Sequence, residues 1–385
     1  MLLIKGSKPE ILIKEDIIIE VAEHIPQTGG MTVIDATGLT VAPGFVDLHV
    51  HFREPGFEYK EDILTGAAAA AAGGITTCCC MPNTSPVIDS EKTVEMIYGK
   101  AAFADITVLP VGAVTVGQRG EVLTDFAALK KAGAVALSDD GIPIRDAKIM
   151  REALVEAKRN DILIISHCEE EEPMVARDTK LAADADASVH IAHVSTAAAV
   201  DTIRKAKAAG VKVTAEVTPH HFSLTEDIIV EKGTNARMSP PLRTQKDVDA
   251  IIRGLSDGTI DAIATDHAPH STEEKALPFN DAPNGIIGLE TSLAVTLTLL
   301  YHTGKLEMEE VINLMSTRPA KILNLKAGLI KAGANADIVI FDPDEEWTVD
   351  SAKFKSKARN TPYDAMKLRG KIKYTISRGN IVYTG

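Results

Sequence analysis

Short runs of apolar residues recur along the middle of the chain and alternate with longer stretches of helical periodicity. Eight such runs lie between residues 45 and 325, at 45–51, 75–81, 106–111, 134–138, 162–167, 189–194, 211–217 and 260–265. Continuous apolar runs of this length are typical of parallel strands that are covered on both faces. Alanine-rich or amphipathic stretches, such as 66–72, 90–102 and 196–209, separate them. Eight strand–helix units predict an α/β protein built as a (β/α)8 barrel of the TIM type.

The two ends of the chain have a different pattern, with short strands and turns and little helical periodicity. Strands are predicted at 10–13, 17–20 and 31–35, and again at 336–341, 372–376 and 380–383. Neither end is large enough for a stable domain, so we expect strands from both termini to pair edge to edge in a small β-sandwich domain. The predicted organisation is residues 1–44 and 326–385 in this small domain, and 45–325 in the barrel.

Composition restricts the class of partner. The chain has 385 residues, 45% of them hydrophobic, and a formal net charge of −13. No long basic run offsets the acidic balance, which argues against nucleic acid or an anionic membrane surface as a partner and favours a small polar substrate. No segment is apolar over a bilayer-spanning length, and we expect a cytoplasmic protein. The run Cys78 to Cys80 and Cys168 form no Cys-x-x-Cys pair and are predicted to be buried core residues.

Residues that can bind metals follow the predicted strands at their carboxyl ends, where the catalytic residues of such barrels lie. A His-x-His pair alone is more often structural. Here His49 and His51 are expected to project together from one strand while Leu48 and Val50 pack behind them, and further polar residues lie at the ends of other strands. The remaining polar residues at strand ends are Asn83, Asp140, His167, His193 and Asp266. Imidazoles and carboxylates are zinc ligands, so the pattern predicts a hydrolytic site for one or two ions, with Asp266 as general acid and base.

Other polar residues are predicted to have structural roles. His190 lies three positions before His193 on one strand, which would turn its side chain outward towards the helices. For His220 and His221, after the seventh strand, metal support and loop hydrogen bonding are equally compatible with the sequence. The acidic run from Glu169 to Glu172 is interpreted as the solvated start of a helix.

Several motifs together resemble those of the dihydroorotases, within the cyclic amidohydrolases. The resemblance extends from about residue 41 to the C-terminus. It is carried by HVHFREPG (49–56), MPNT (81–84), SDDG (138–141), HCE (167–169), HVST (193–196), TDHAPH (265–270), GIIGLET (285–291), ADIV (336–339) and SKARNTP (356–362).

The resemblance implies a role for each matching residue. His49, His51 and Asp266 would bind one zinc ion and His167 and His193 a second, with Asp140 bridging the two. Hydantoin- and dihydropyrimidine-opening relatives generally place a carboxylated lysine at that bridging position. The substrate carboxylate would be bound by Arg53, Asn83 and His270, and backbone groups of Asn284 and Gly285 would hold the ring.

Two departures from the family pattern stand out. Residues 239–243 read SPPLR where the family usually has NPPLR, so Ser239 replaces an asparagine that contacts the substrate ring. The link from His167 to His193 is shorter than the family's, which indicates a trimmed helix or loop between the fifth and sixth strands.

The activity implied by the resemblance is a zinc-dependent, reversible cyclisation of N-carbamoyl-L-aspartate to L-dihydroorotate in pyrimidine synthesis. In the hydrolytic direction metal-bound hydroxide would attack the ring amide carbonyl, and Asp266 would protonate the leaving nitrogen. The alternatives are a sibling hydrolase acting on allantoin or a hydantoin, and an inactive homologue that serves as a scaffold for aspartate transcarbamoylase. A homo-oligomer and binding of that transcarbamoylase by an active enzyme are further expectations.

Overall fold

The computed structural model describes residues 1–385 and contains sixteen strands and thirteen α-helical segments. The strands are β1 (Leu2–Lys5), β2 (Glu10–Lys14), β3 (Ile17–Ala22), β4 (Thr32–Asp35), β5 (Thr40–Pro43), β6 (Phe45–Val50), β7 (Ile75–Cys80), β8 (Thr107–Pro110), β9 (Ala136–Leu137), β10 (Leu163–Ser166), β11 (Val189–Ile191), β12 (Val213–Val217), β13 (Ala262–Ile263), β14 (Ile338–Thr348), β15 (Lys367–Ser377) and β16 (Asn380–Thr384). The helices are α1 (Ile63–Ala72), α2 (Glu91–Ala101), α3 (Phe126–Ala132), α4 (Ala147–Arg159), α5 (Glu171–Ala185), α6 (Ala197–Ala208), α7 (Pro219–Ser223), α8 (Ile229–Lys232), α9 (Gln245–Ser256), α10 (Thr272–Lys275), α11 (Ser292–Thr296), α12 (Met308–Ile312) and α13 (Arg318–Ile322).

Strands β6 to β13 form the barrel, and each corresponds to one of the eight predicted runs. They pair in parallel as β6-β7-β8 and as β9-β10-β11-β12-β13. Parallel bridges join the two groups, one between Gly112 and Leu137 and one between Val50 and His267. All six residues of β6 and of β7 are buried, because helices cover the outer face while side chains fill the interior. The predicted barrel is confirmed.

The helices begin at capping residues that the sequence supplies. Asp62, Ser90 and Thr196 each accept a hydrogen bond from a backbone N–H in the first turn of α1, α2 and α6. The α5 helix has 15 residues and occupies the link between His167 and His193. This link, which is shorter than the family pattern, therefore still contains a complete strand–helix unit.

The strands from the chain ends form two four-stranded sheets, ordered β3-β2-β1-β4 and β16-β15-β14-β5. Most N-terminal strands pair with one another, and only β5 pairs with a strand from the other end, antiparallel to β14. The expected edge-to-edge pairing of the two termini is therefore limited to this contact and a bridge between Ile17 and Asn335. Apolar side chains of both sheets share one core, including Ile4, Ile338 and Ile376. The predicted β-sandwich is confirmed, whereas the domain boundaries at 44 and 325 stay a prediction.

The segment between β14 and β15 crosses to the barrel mouth. Ser356 bonds to the carboxylate of Glu61, in the loop after β6, and Asn360 donates to the carbonyls of Ala268 and Gly285 at 3.1 and 3.0 Å. This C-terminal segment therefore forms part of the rim around the site.

No helix in the structure combines the length and the apolar character that crossing a membrane requires. The four cysteines are buried and free, as their sequence context predicted.

Candidate metal centre and anion pocket

The structure brings all six predicted metal ligands together at the carboxyl ends of the barrel strands. Asp140 is central: its Oδ1 lies 3.2 Å from His49 Nε2, 3.2 Å from His167 Nδ1 and 3.6 Å from His193 Nε2, and its Oδ2 lies 3.3 Å from His51 Nε2. Asp266 Oδ1 lies 3.0 Å from His51 Nε2 and 3.5 Å from His49 Nε2. Two overlapping groups have metal-ligand spacing: His49, His51 and Asp266, and His49, Asp140 and His193.

The buried polar atoms of this cluster fit a bound cation. His49 Nε2 and Asp140 Oδ1 are buried and have no hydrogen-bond partner in the chain. Leaving such atoms unsatisfied is costly, and the great majority in folded proteins have partners. Nitrogen and carboxylate donors converging on one volume are the ligand set that zinc and related divalent ions take.

Left-handed backbone turns occur at two of the ligands and at Arg53, beside the cluster. Arg53, His193 and Asp266 have φ values of 62°, 34° and 48°, in the left-handed region that non-glycine residues rarely adopt. Each follows a barrel strand, at the point where the chain leaves the barrel. Local strain of this kind persists where the surrounding structure enforces it, and it is concentrated at functional sites.

Outer partners orient two of the imidazoles. His49 Nδ1 lies 2.8 Å from Glu216 Oε1, and His51 Nδ1 lies 2.8 Å from Asn83 Oδ1. Because both oxygens accept, each Nδ1 carries a proton and each Nε2 faces the cluster. Asn83 thus supports a metal ligand through its carbonyl oxygen, while its amide group remains available to a bound molecule.

Burial and mutual attraction set the charges in the cluster. Burial by itself would raise the pKa of Asp266, but His49 and His51 outweigh it and hold the pKa of that carboxyl well below its ordinary value. The pKa of Asp140 is lowered in the same way, mainly by His49 and His167 against the effect of burial. Burial opposes protonation of His49, yet Asp140 and Asp266 raise its pKa above the ordinary value. Both carboxylates are therefore ionised and ready to bind a cation.

Two cations and a histidine lie beside the metal cluster. Arg53 Nε donates to the carbonyl of Pro269 at 3.2 Å, and its Nη2 lies 3.4 Å from His270 Nε2. Lys60 Nζ lies 3.3 Å from His270 Nδ1 on the other side of that ring. In this arrangement of Arg53, His270 and Lys60, here called the anion pocket, the guanidinium and ammonium groups suit a carboxylate. No sequence motif had drawn attention to Lys60.

The loop that is predicted to bind the substrate ring is fixed by hydrogen bonds to neighbouring segments. The carbonyl of Gly285 accepts from Lys275 Nζ at 3.0 Å and from Asn360 Nδ2 at 3.0 Å, and Gly285 N donates to the carbonyl of Arg237. Lys275 also donates to the carbonyl of Pro283. Gly285 has a φ of 135°, and a Cβ there would lie 2.7 Å from the Cβ of Ala268, so a larger residue does not fit.

Ser239, the residue that departs from the family pattern, is half-buried next to Pro240. The carbonyl of Pro240 accepts from His221 Nε2 at 3.0 Å, and Thr218 Oγ1 lies 2.8 Å from His221 Nδ1. His221 is therefore engaged in loop hydrogen bonds. His220 Nε2 is buried without a partner, and burial lowers the pKa of His220 to about 4.

Three expectations about side-chain direction were wrong. His190 faces the barrel interior, where its Nε2 lies 3.2 Å from Glu216 Oε2, because the left-handed turn at His193 breaks the strand alternation. Leu48 packs in the interior cluster and Val50 in the outer core, since the pairing of β6 with β7 shifts between Asp47 and Val50. Glu171, from the acidic run, is buried and accepts hydrogen bonds from the backbone N–H groups of Ser195 and Thr196.

Comparisons with known proteins agree with this architecture. A model of the amidohydrolase family matches residues 40–382. The dihydroorotase of Caldanaerobacter subterraneus subsp. tengcongensis is 50% identical, and the match covers 98% of this chain and 94% of the relative. The dihydroorotase of Clostridioides difficile is 48% identical, with 97% of this chain and 95% of the relative covered. The L-hydantoinase of Arthrobacter aurescens has the same fold, with a TM-score of 0.90 at 24% identity over 100% of this chain and 96% of the other.

Proposed function

The chain belongs to the amidohydrolase family, in which relatives of 45–50% identity are dihydroorotases, and we propose that it is a zinc-dependent dihydroorotase. The proposed reaction is the reversible ring closure of N-carbamoyl-L-aspartate to L-dihydroorotate. The observation that carries this proposal is the juxtaposition of a six-ligand cluster with the anion pocket of Arg53, His270 and Lys60. In the pocket, Arg53 Nη2 lies 3.4 Å from His270 Nε2. In the cluster, His51 Nε2 lies 3.0 Å from Asp266 Oδ1.

Substrate binding is assigned to the anion pocket and the loop beside it. The guanidinium of Arg53 pairs with no carboxylate of the chain, and its planar edge matches one. Partial desolvation in this half-buried position strengthens such a pairing. Dihydroorotate carries a ring carboxylate that hydantoin, dihydrouracil and allantoin lack. We assign the Asn83 amide to the carboxylate and the backbone of Asn284 to the ring. The N–H and carbonyl of Gly285 are bonded within the chain, so Gly285 is assigned to shaping this loop.

The six ligands would hold one or two zinc ions: His49, His51 and Asp266 on one side, His167 and His193 on the other, with Asp140 between them. A zinc ion held there supplies Lewis-acid polarisation of a carbonyl and makes a bound water nucleophilic near neutral pH.

Asp266 is assigned the proton transfer. Its carboxylate is ionised, so in the hydrolytic direction it begins as the base that takes a proton from the attacking water. The new bond joins the water oxygen to the ring carbonyl carbon. As the bond from that carbon to the ring nitrogen breaks, Asp266 returns the proton to the nitrogen. Ring closure follows the same steps in reverse.

The test is a substrate panel for the metal-loaded protein: L-dihydroorotate, dihydrouracil, hydantoin and allantoin, with N-carbamoyl-L-aspartate for the reverse direction. We expect turnover of dihydroorotate and formation of dihydroorotate from carbamoyl-aspartate, with little turnover of the other rings. Preference for a ring without a carboxylate would contradict the assignment of the anion pocket. A metal-loaded protein inactive on the whole panel would support the scaffold alternative.

A further inference from the structure

We propose that Lys60 is a positioning residue that holds His270 in its neutral Nε2–H tautomer, so that the ring donates to the Asn284 carbonyl and fixes the loop beside the anion pocket. This inference rests on the proposed function, because that function assigns the Asn284 backbone to the substrate ring. The geometric argument concerns the ring itself and can be tested without turnover.

Two independent contacts assign the tautomer of His270. On one side the Lys60 ammonium lies 3.3 Å from Nδ1, and an ammonium can only donate, so Nδ1 carries the lone pair. On the other side the carbonyl oxygen of Asn284 lies 2.8 Å from Nε2, and a carbonyl can only accept, so Nε2 carries the proton. Both partners therefore require the same tautomer, and Arg53 Nη2, a donor 3.4 Å from Nε2, lies farther from that nitrogen than the Asn284 oxygen does.

Acidic neighbours hold Lys60 in place. Its Nζ lies 2.8 Å from Glu274 Oε1, and the hydroxyl of Tyr59 donates to the same oxygen at 3.0 Å. Glu274 also forms a capping box with Ser271 at the start of α10, which fixes its own position. The Lys60 side chain is only 13% exposed. The ammonium is thus directed at the imidazole by fixed partners.

Charged groups on every side keep the ring neutral. Arg53, Lys60 and Lys275 surround His270, and only Glu274 opposes them, with its Oε2 3.6 Å from Nδ1. Burial and the two nearer cations, Arg53 and Lys60, lower the pKa of His270 to about 3. At 3.6 Å Glu274 is too far to accept a hydrogen bond from Nδ1 while Lys60 stands between the two groups.

The consequence is a fixed loop beside the anion pocket. The Nε2–H group of His270 donates to the Asn284 carbonyl at 2.8 Å, so the tautomer sets the position of the loop assigned to the substrate ring. In the opposite tautomer Nε2 would present a lone pair to that carbonyl oxygen and repel it. Without Lys60, Glu274 becomes the nearest group to Nδ1 and favours that opposite tautomer. Lys60 is therefore expected to act on substrate affinity rather than on the chemical step.

The first test measures the tautomer directly. Long-range proton–nitrogen NMR spectra of protein labelled with ¹⁵N-histidine distinguish the two neutral forms, and a His270→Gln variant assigns the signal. We expect the Nε2–H pattern in the wild type and in Lys60→Arg, and an Nδ1–H or mixed pattern in Lys60→Met. Lys130→Met, which removes a lysine from the surface contact with Asp161, should match the wild type. An unchanged Nε2–H pattern in Lys60→Met would overturn the proposal, as would an Nδ1–H or imidazolium pattern in the wild type.

The second test is kinetic. Lys60→Met should raise KM for dihydroorotate about tenfold, with kcat within about twofold of wild type. This defect should shrink as the pH falls, because losing the Lys60 cation raises the pKa of His270 and protonation restores the Nε2–H donor. An equal defect at every pH would show that only charge was lost and would overturn the proposal. Failure of the wild type to turn over dihydroorotate would instead refute the proposed function, and the NMR result would still decide the tautomer.

Discussion

The Oε1 atom of Glu216 lies 2.8 Å from Nδ1 of His49 inside the barrel, and both side chains are fully buried. The second oxygen of Glu216 lies 3.2 Å from His190 Nε2, so both carboxylate oxygens have partners. Burial would raise the pKa of Glu216, but His190 and His49 lower it to about 2, and the group is ionised. This carboxylate therefore fixes the ring of His49 with its Nε2 atom facing the metal cluster.

Replacing Glu216 by Gln should weaken metal binding. The amide keeps the shape of the side chain but loses the charge that supports the imidazole, and changes of this kind typically cost about 10- to 100-fold in metal affinity. Competition for zinc with a chromophoric chelator measures the effect. Glu290→Gln is the control, because Glu290 is a half-buried carboxylate that accepts hydrogen bonds from the backbone N–H groups of Lys355 and Ser356, away from the cluster. Equal zinc affinity in Glu216→Gln and wild type would show that Glu216 does not support the site.

Replacing Asp266 by Asn should lower kcat strongly, because the amide cannot accept and return the proton. Positioned general acid–base groups contribute about 10²- to 10⁴-fold, and a loss in that range is expected. Steady-state kinetics at saturating zinc, together with a thermal melt, separate this loss from misfolding. Asp261→Asn, which removes a carboxylate from an ion pair with Lys207, provides the control. Near-normal turnover in Asp266→Asn would rule out the proton-transfer role.

Replacing Arg53 by Lys should raise KM for dihydroorotate about 10- to 100-fold, since the ammonium keeps the charge but loses the planar two-donor edge. The value of kcat should change much less, because Arg53 lies away from the reacting carbonyl in the proposed assignment. Arg204→Lys, in an exposed ion pair with Asp257, should have no effect. An unchanged KM in Arg53→Lys would mean that the carboxylate binds elsewhere.

The sequence was sufficient to predict the barrel and the positions of the metal ligands. Eight apolar runs correspond to β6 through β13, and the six predicted ligands converge, because strand ends in a parallel barrel meet at one face. The sequence motifs identify His49, His51 and Asp266 as candidate ligands of one metal ion without any measured distance between their side chains. The roles of these residues remain predictions until activity and metal binding are measured.

Side-chain direction and outer contacts could not be predicted from the same patterns. Strict alternation failed at His190 and Leu48, where a left-handed turn and a register shift change the face of the strand. Glu216, Lys60 and Asn360 act through partners far away in the sequence, such as His49 at a separation of 167 positions from Glu216. A single glutamate or lysine carries no periodic signal, so only the folded chain reveals such contacts.

Zinc titration of the metal-stripped protein, with dihydroorotate turnover and bound zinc measured on the same samples, tests the central claim most directly. We expect no turnover in the stripped protein and recovery of activity as zinc binds, complete at no more than two ions per chain. Full activity in the stripped protein, or no turnover of dihydroorotate at full zinc occupancy, would contradict a zinc-dependent dihydroorotase.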